Sequence, residues 1–167
     1  MFISNIRITG FRNFKDATVG LLEKSLVIGS NEIGKSNLLH ALRILLDKNL
    51  SLADLEPQAS DFYAHEETHA ICILAKFEEV TQECVIAKLR EQVSDEGVMY
   101  LAYEATRSRE SGRKSFRFLV GRSADTMQDI ETNRYYLKVL NLKFVASNRD
   151  LASFIRRERR NLLQDAR

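Results

Sequence analysis

Gly29-Ser30-Asn31-Glu32-Ile33-Gly34-Lys35-Ser36 sets two glycines, a lysine and a serine at the spacing G-x-x-x-x-G-K-S, and the chemistry of that pattern is phosphate binding. The glycines let the backbone curl until successive N–H groups face inward, and a helix starting at the lysine turns its positive dipole end to the same anions. Lys35 is then placed to reach the β- and γ-phosphates of a nucleoside triphosphate, with the Ser36 hydroxyl as a ligand for Mg²⁺. The flanks match this use: Leu26-Val27-Ile28 precede the loop as an apolar run, and Leu38, Leu39, Ala41 and Leu42 follow it at helical spacing. Strand, loop and helix in that order is the context the motif requires.

The elements that must position this loop are read from hydrophobic period. Alternation predicts strands over 2–10 and 17–21, with a third over 24–28 running straight into the loop. Apolar residues at 38, 39, 41, 42, 45 and 46 predict a helix over 35–47 with a face broad enough to pack on a sheet. The polar stretch 51–60, holding the only proline at 57, reads as a loop. Strands are expected at 71–77, 98–105 and 116–120, and a helix at 81–93. The run 137–145 reads as a helix end feeding a strand at 142–145, and 151–164 as a helix. Two strands ahead of the one that enters the loop predict an antiparallel opening to the sheet.

A chain of 167 residues, 44% hydrophobic and 29% charged, fits one globular α/β domain. No apolar stretch approaches the ~20 residues of a spanning helix and no signal-peptide pattern opens the chain, so a cytoplasmic protein without a membrane partner is expected. Cys72 and Cys84 show no C-x-x-C spacing and are expected as buried thiols. The formal charge of +2 conceals an asymmetry. Residues 1–100 hold ten Lys/Arg against fifteen Asp/Glu, whereas 101–167 hold fifteen against eight. The second half has the sign of a surface that meets phosphates, with Arg107, Arg109, Arg113, Lys114, Arg156 and Arg157 as its candidate DNA contacts; an ordinary solvated basic face is the competing reading.

Two further patterns bear on mechanism. His65-Glu66-Glu67-Thr68-His69 matches H-E-x-x-H, in which two His one helical turn apart hold Zn²⁺. Glu67 is charged, the segment follows a proline loop, and His40 is the only other histidine; a solvated loop is the expectation. Triphosphate hydrolysis also needs a carboxylate pair at the end of an apolar strand. Ile73-Leu74-Ala75-Lys76-Phe77-Glu78-Glu79 comes nearest, but Lys76 interrupts it and the alternation describes a half-solvated strand. No catalytic residue is identified.

Ile6-Arg7-Ile8-Thr9-Gly10-Phe11-Arg12-Asn13-Phe14, taken with the stretch from Leu26 to Leu39, resembles the N-terminal lobe of RecF/SMC-type ABC ATPase heads, a P-loop NTPase fold with a mixed or antiparallel sheet around the Walker A helix. Within that group the chain most resembles the OLD (overcoming lysogenization defect) family of ATPase-nucleases, which includes the Gabija anti-phage effector. The G-F-R-N-F turn, Asn37 directly after the motif serine, and Phe144-Val145-Ala146-Ser147-Asn148-Arg149-Asp150 carry the resemblance. Glu32 stands where RecF and SMC heads place a glycine.

The resemblance implies ATP and Mg²⁺ as ligands and a homodimer, or higher oligomer, closing head to head around the nucleotide. It places Arg12 and Asn13 beside the nucleotide and Asp61 near the metal; an N-cap or turn role is the alternative for Asp61. It implies DNA as a partner of the whole protein, with nuclease chemistry elsewhere. A Leu-Ser-Gly-Gly signature and Toprim acids are not found, so residues 1–167 are expected to be the N-terminal part of the ATPase domain. A RecF/SMC-like repair or chromosome-organising head and a nucleotide-holding scaffold module are the alternative functions.

Overall fold

A computed structural model describes residues 1–30 and 33–144. The helix expected over 151–164, the candidates Arg156 and Arg157, and the loop residues Asn31 and Glu32 lie outside the described residues.

Six strands form one sheet in the order β2-β1-β3-β4-β5-β6: β1 (Phe2–Phe11), β2 (Phe14–Gly20), β3 (Ala70–Glu78), β4 (Met99–Arg107), β5 (Lys114–Gly121) and β6 (Gln128–Glu131). Every neighbouring pair is antiparallel. One face is covered and one meets solvent, and the strict alternation of β3 records this. Its covered side sends Ile71, Ile73, Ala75 and Phe77 into the core with Ile6 and Ile8 of β1 and Leu101 and Tyr103 of β4. The open side is laced by ion pairs, Arg7 with Asp16 and Arg117 with both Glu104 and Asp129.

The helix after the phosphate loop, α1 (Lys35–Leu46), buries Leu38, Ala41, Ile44, Leu45 and Leu46. An aromatic cluster of Tyr103, Phe116, Phe118 and Tyr136 continues the core. Tyr103 donates its hydroxyl to Leu55 O at 2.8 Å, so the one polar atom of a buried ring is satisfied. Gly10 permits the close approach of β1 to the start of β3: its φ is +68°, and a Cβ there would stand 2.2 Å from Ala70 O.

Several expectations are corrected. Residues 24–28 form no strand, because no segment among the described residues offers ladder partners; Leu26 is 83% and Ile28 81% exposed. The stretch read as a loop contains α2 (Leu52–Leu55), started by a capping box in which Ser51 and Asp54 bond reciprocally, and a 3-10 turn at Ala59–Asp61. The helix expected over 81–93 is shorter: α3 (Glu83–Leu89) gives way to a 3-10 turn at Arg90–Gln92. In place of a helix end and strand, the chain makes a 3-10 turn at Tyr135–Lys138 and runs on through 141–144 without regular structure. Cys84 is exposed, and only Cys72 is half-buried, where desolvation pushes its thiol pKa up.

Candidate nucleotide site

Gly34 begins the site. Its φ of +102° turns the chain from loop into helix; being glycine it offers no side-chain cap, and the first turn of α1 holds no acidic residue. A helix that begins this way leaves its first N–H groups and its positive dipole end open to an anion. Leu38 N–H is the first to find a helical partner, Gly34 O at 2.9 Å. Lys35 and Ser36 sit on that opening. The Lys35 ammonium donates to Gly29 O at 2.6 Å and also to Ser30 O, so it folds back over the loop it would serve. Ser36 is exposed, and its hydroxyl has no partner among the described residues. An uncommitted hydroxyl on an open helix start fits a Mg²⁺ that accompanies phosphate.

The turn between β1 and β2 braces this opening. Phe11 pairs with Phe14, leaving Arg12 and Asn13 as a two-residue hairpin turn. Arg12 holds φ at +50°, a conformation that costs a non-glycine residue about 1 kcal/mol or more and needs support. The support is dense. Arg12 N–H donates to Asp61 O at 2.7 Å, its Nε to Asp61 Oδ1 at 2.9 Å and its Nη1 to Asn37 Oδ1 at 3.1 Å. Asn37 in turn donates to Asn13 Oδ1 at 2.7 Å, and Asn13 Nδ2 reaches Ile33 O at 3.4 Å. Arg12, Asn13, Asn37 and Asp61, from three separate parts of the chain, thus converge on the first turn of α1.

Both carboxylate oxygens of Asp61 accept a hydrogen bond. Oδ1 accepts from Arg12 and Oδ2 from Gln58 N–H at 2.8 Å, and each oxygen keeps a further lone pair. The residue serves as the anchor of the Arg12 turn. His40, stacked on Phe11 at 6.1 Å between ring centroids, has its pKa lowered by burial and by the Arg12 charge, which keeps a neutral ring behind the site.

The H-E-x-x-H segment is a turn and not a helix, which separates its two imidazoles from the one-turn geometry of a zinc site. His69 bonds Glu67 at 3.0 Å, and Glu66 pairs with Lys15. No group of three or more His, Cys, Asp or Glu side chains is placed to hold a metal among the described residues.

The basic candidates divide. Arg107 is partly committed within the fold: its guanidinium lies 4.9 Å over the Phe62 ring and donates to Thr68 O at 3.3 Å. Arg109, Arg113 and Lys114 stand on the β4–β5 hairpin with no hydrogen bond or ion pair from their side chains among the described residues. The tip is stiffened by Ser108 N–H to Arg113 O at 2.8 Å and by Gly112 at φ +65°. Strand register puts it at the same end of the sheet as the Arg12 turn, since Ala70 pairs with Thr106 and Phe11 bridges to Phe62. Two to three strand spacings separate the two, roughly 10–15 Å.

An uncapped helix start behind a G-x-x-x-x-G-K-S sequence, packed on a sheet, is an arrangement that P-loop nucleotide-binding proteins use, although no strand enters the loop among the described residues. The chain belongs to the AAA ATPase domain family, whose model matches residues 1–162. It is also 33% identical over 113 residues to Endonuclease GajA of Bacillus cereus (strain VD045). That match covers 63% of this chain and 19% of the relative, so it spans about a fifth of the relative's length. No helix among the described residues is long and apolar enough to cross a membrane.

Proposed function

We propose that this chain is the ATP-binding N-terminal part of an OLD-type ATPase, in which nucleotide-dependent dimerisation of the heads controls a DNA-acting, nuclease-type protein of anti-phage defence. The observation that carries the reading is the uncapped start of α1, with Lys35 and Ser36 on it and the Arg12–Asn13 turn bonded to its first residues. Gly29, Ser30, Asn31, Glu32, Ile33 and Gly34 supply the loop whose N–H groups take the phosphates, and Lys35 exchanges its two loop carbonyls for phosphate oxygens. Ser36 would hold the Mg²⁺, which would supply charge neutralisation to the triphosphate. Arg12 and Asn13 border the nucleotide through Asn37, and Asp61 acts by fixing Arg12.

The second lobe of the ATPase and the nuclease module lie outside residues 1–167 on this reading. The bare apolar edge at Leu26 and Ile28 supports it, because a segment exposing such residues calls for a covering strand. So does the relative, of which the matched part is 19%. Arg109, Arg113 and Lys114 are the proposed DNA contacts of this part, their charge uncommitted and their hairpin rigid.

Duplex DNA affinity of the full protein, measured with MgATP present across a salt series, tests the reading. Alanine at Arg109, Arg113 and Lys114 together is expected to flatten the slope of log K against log salt by about 2–3, since each lost phosphate contact removes about 0.9. Lys35→Ala is expected to abolish any difference in affinity between the ATP-loaded and nucleotide-free protein. A slope unchanged in the triple variant removes the hairpin from the interface, and a nucleotide effect that survives Lys35→Ala contradicts control through this loop.

A further inference from the structure

The far end of α1 is held as deliberately as its start. An α-helix leaves its last four carbonyls without helical partners, and here all of them are taken. Arg43 O accepts from Asp47 N–H at 2.9 Å, the helix's own closing bond. Ile44 O accepts from Arg134 Nη2 at 3.2 Å, Leu45 O from the Tyr136 hydroxyl at 2.7 Å, and Leu46 O from Leu142 N–H at 2.8 Å. Three of the four donors come from residues 134–142, about ninety positions further along the chain.

Arg134 does more than close one carbonyl. The same guanidinium donates to Asp47 O at 2.9 Å and Leu50 O at 3.3 Å, and lies 5.3 Å over the Phe118 ring of β5. Its positive charge meets the negative end of the helix dipole. Asp47 beneath it is 2% exposed, yet both its oxygens are used, by Arg43 Nε and Asn49 N–H at 2.9 Å each. Tyr136 is fully buried, with its ring against Phe118. The helix is therefore tied to the sheet at the rear by Arg134 and Tyr136, which lie against Phe118 of β5, and at the front by Arg12 and Asn13 through Asn37.

We infer that Arg134 and Tyr136 are positioning residues for the nucleotide site: by fixing the axial and rotational setting of α1 from behind, they set where Lys35, Ser36 and the first N–H groups meet the phosphates. The inference rests on the ATP reading of the loop. A rod of twelve residues, about 18 Å long, transmits a slide or rotation of its end to its start with little loss, and a hydrogen-bonding site loses affinity when donors shift by a fraction of an ångström. Arg134 bonds Ile44 O in the last turn of α1, Asp47 O at its C-cap and Leu50 O just beyond, so one guanidinium joins the end of the helix to the turn that follows it. Lysine, a point charge without the planar fork, does not replace it.

The test compares MgATP dissociation constants of the full chain with Tyr136→Phe, Arg134→Lys and Arg134→Gln, each well below its own melting temperature, beside the melting temperatures themselves. Tyr136→Phe keeps the ring in the core and removes only the bond to Leu45 O, so it stays informative if an Arg134 variant fails to fold. Weakening of MgATP binding by about fivefold or more in Tyr136→Phe and Arg134→Lys, together with faster amide exchange at Ser36, Asn37 and Leu38, is the expected result. Lowered melting temperatures with an unchanged dissociation constant overturn the inference, since a merely structural tie moves the first and not the second. A native chain that binds no MgATP at all removes the ATP reading, and this inference with it.

Discussion

Replacing Lys35 with alanine is expected to weaken MgATP binding by roughly ten- to a hundredfold while leaving the fold intact. A charge-assisted bond to phosphate is worth about 1.5–3 kcal/mol, and each 1.4 kcal/mol is a factor of ten. The fold should be indifferent, because among the described residues the ammonium bonds only Gly29 O and Ser30 O, two carbonyls at the exposed loop. Those two bonds also mean that the native lysine must leave its loop before it can serve phosphate, so its net contribution falls below that of a free ammonium. Calorimetry with MgATP and far-ultraviolet circular dichroism of the same samples check both halves. Full affinity in the variant would show that the lysine is not a phosphate ligand.

Gly34→Ala is expected to have an effect on binding as large as that of Lys35→Ala, by a different route. At φ +102° any side chain is strained, and a Cβ would fall 2.3 Å from Asn13 Nδ2. Asn13 can swing its amide away only by giving up Ile33 O and its bond with Asn37, which are the contacts that brace the start of α1. The backbone would relax toward negative φ, turning the first N–H groups off their common focus. Loss of MgATP binding should come with a modest drop in melting temperature, because the site lies at the margin of the core. The comparison with Gly112→Ala is instructive: that glycine also has positive φ but meets nothing within 4 Å, so its cost should be confined to hairpin stability.

Much of this was readable from residue order, and the reason is periodicity. Ile71, Ile73, Ala75 and Phe77 alternate because one face of the sheet is dry and the other wet, and Leu38, Ala41 and Leu45 recur at helical spacing because α1 lies on the dry face. The G-x-x-x-x-G-K-S pattern was legible because its glycines, lysine and serine stand at fixed spacing, and the family match to an ATPase domain agrees with it. Strand β6 was not, since four residues, Gln128–Glu131, show no alternation to read. Ser51 and Asp54 did offer a signal: a serine three residues before an acid just ahead of Leu55 is a helix start, and the proline at 57 masked it. The apolar run 24–28 misled because a strand is a property of a pair, and no partner stands beside it among the described residues.

The support of the site was the least legible part. Arg12 and Asp61 are 49 positions apart, and Arg134 and Ile44 are 90; no local pattern joins them. One hint lay in the hairpin, where a two-residue turn carries arginine at a position of positive φ that glycine or asparagine normally fills. A turn that keeps an unfavourable residue does so for its side chain, and here that side chain links Asp61 to Asn37.

Backbone amide shifts of the chain titrated with MgATP, against AMP at the same concentrations, test the central claim most directly. If the loop and the open start of α1 bind the β- and γ-phosphates, MgATP moves the amides of Gly29, Ser30, Gly34, Lys35 and Ser36 while AMP leaves them in place. Unmoved loop amides at saturating MgATP, or equal responses to the two nucleotides, would contradict it.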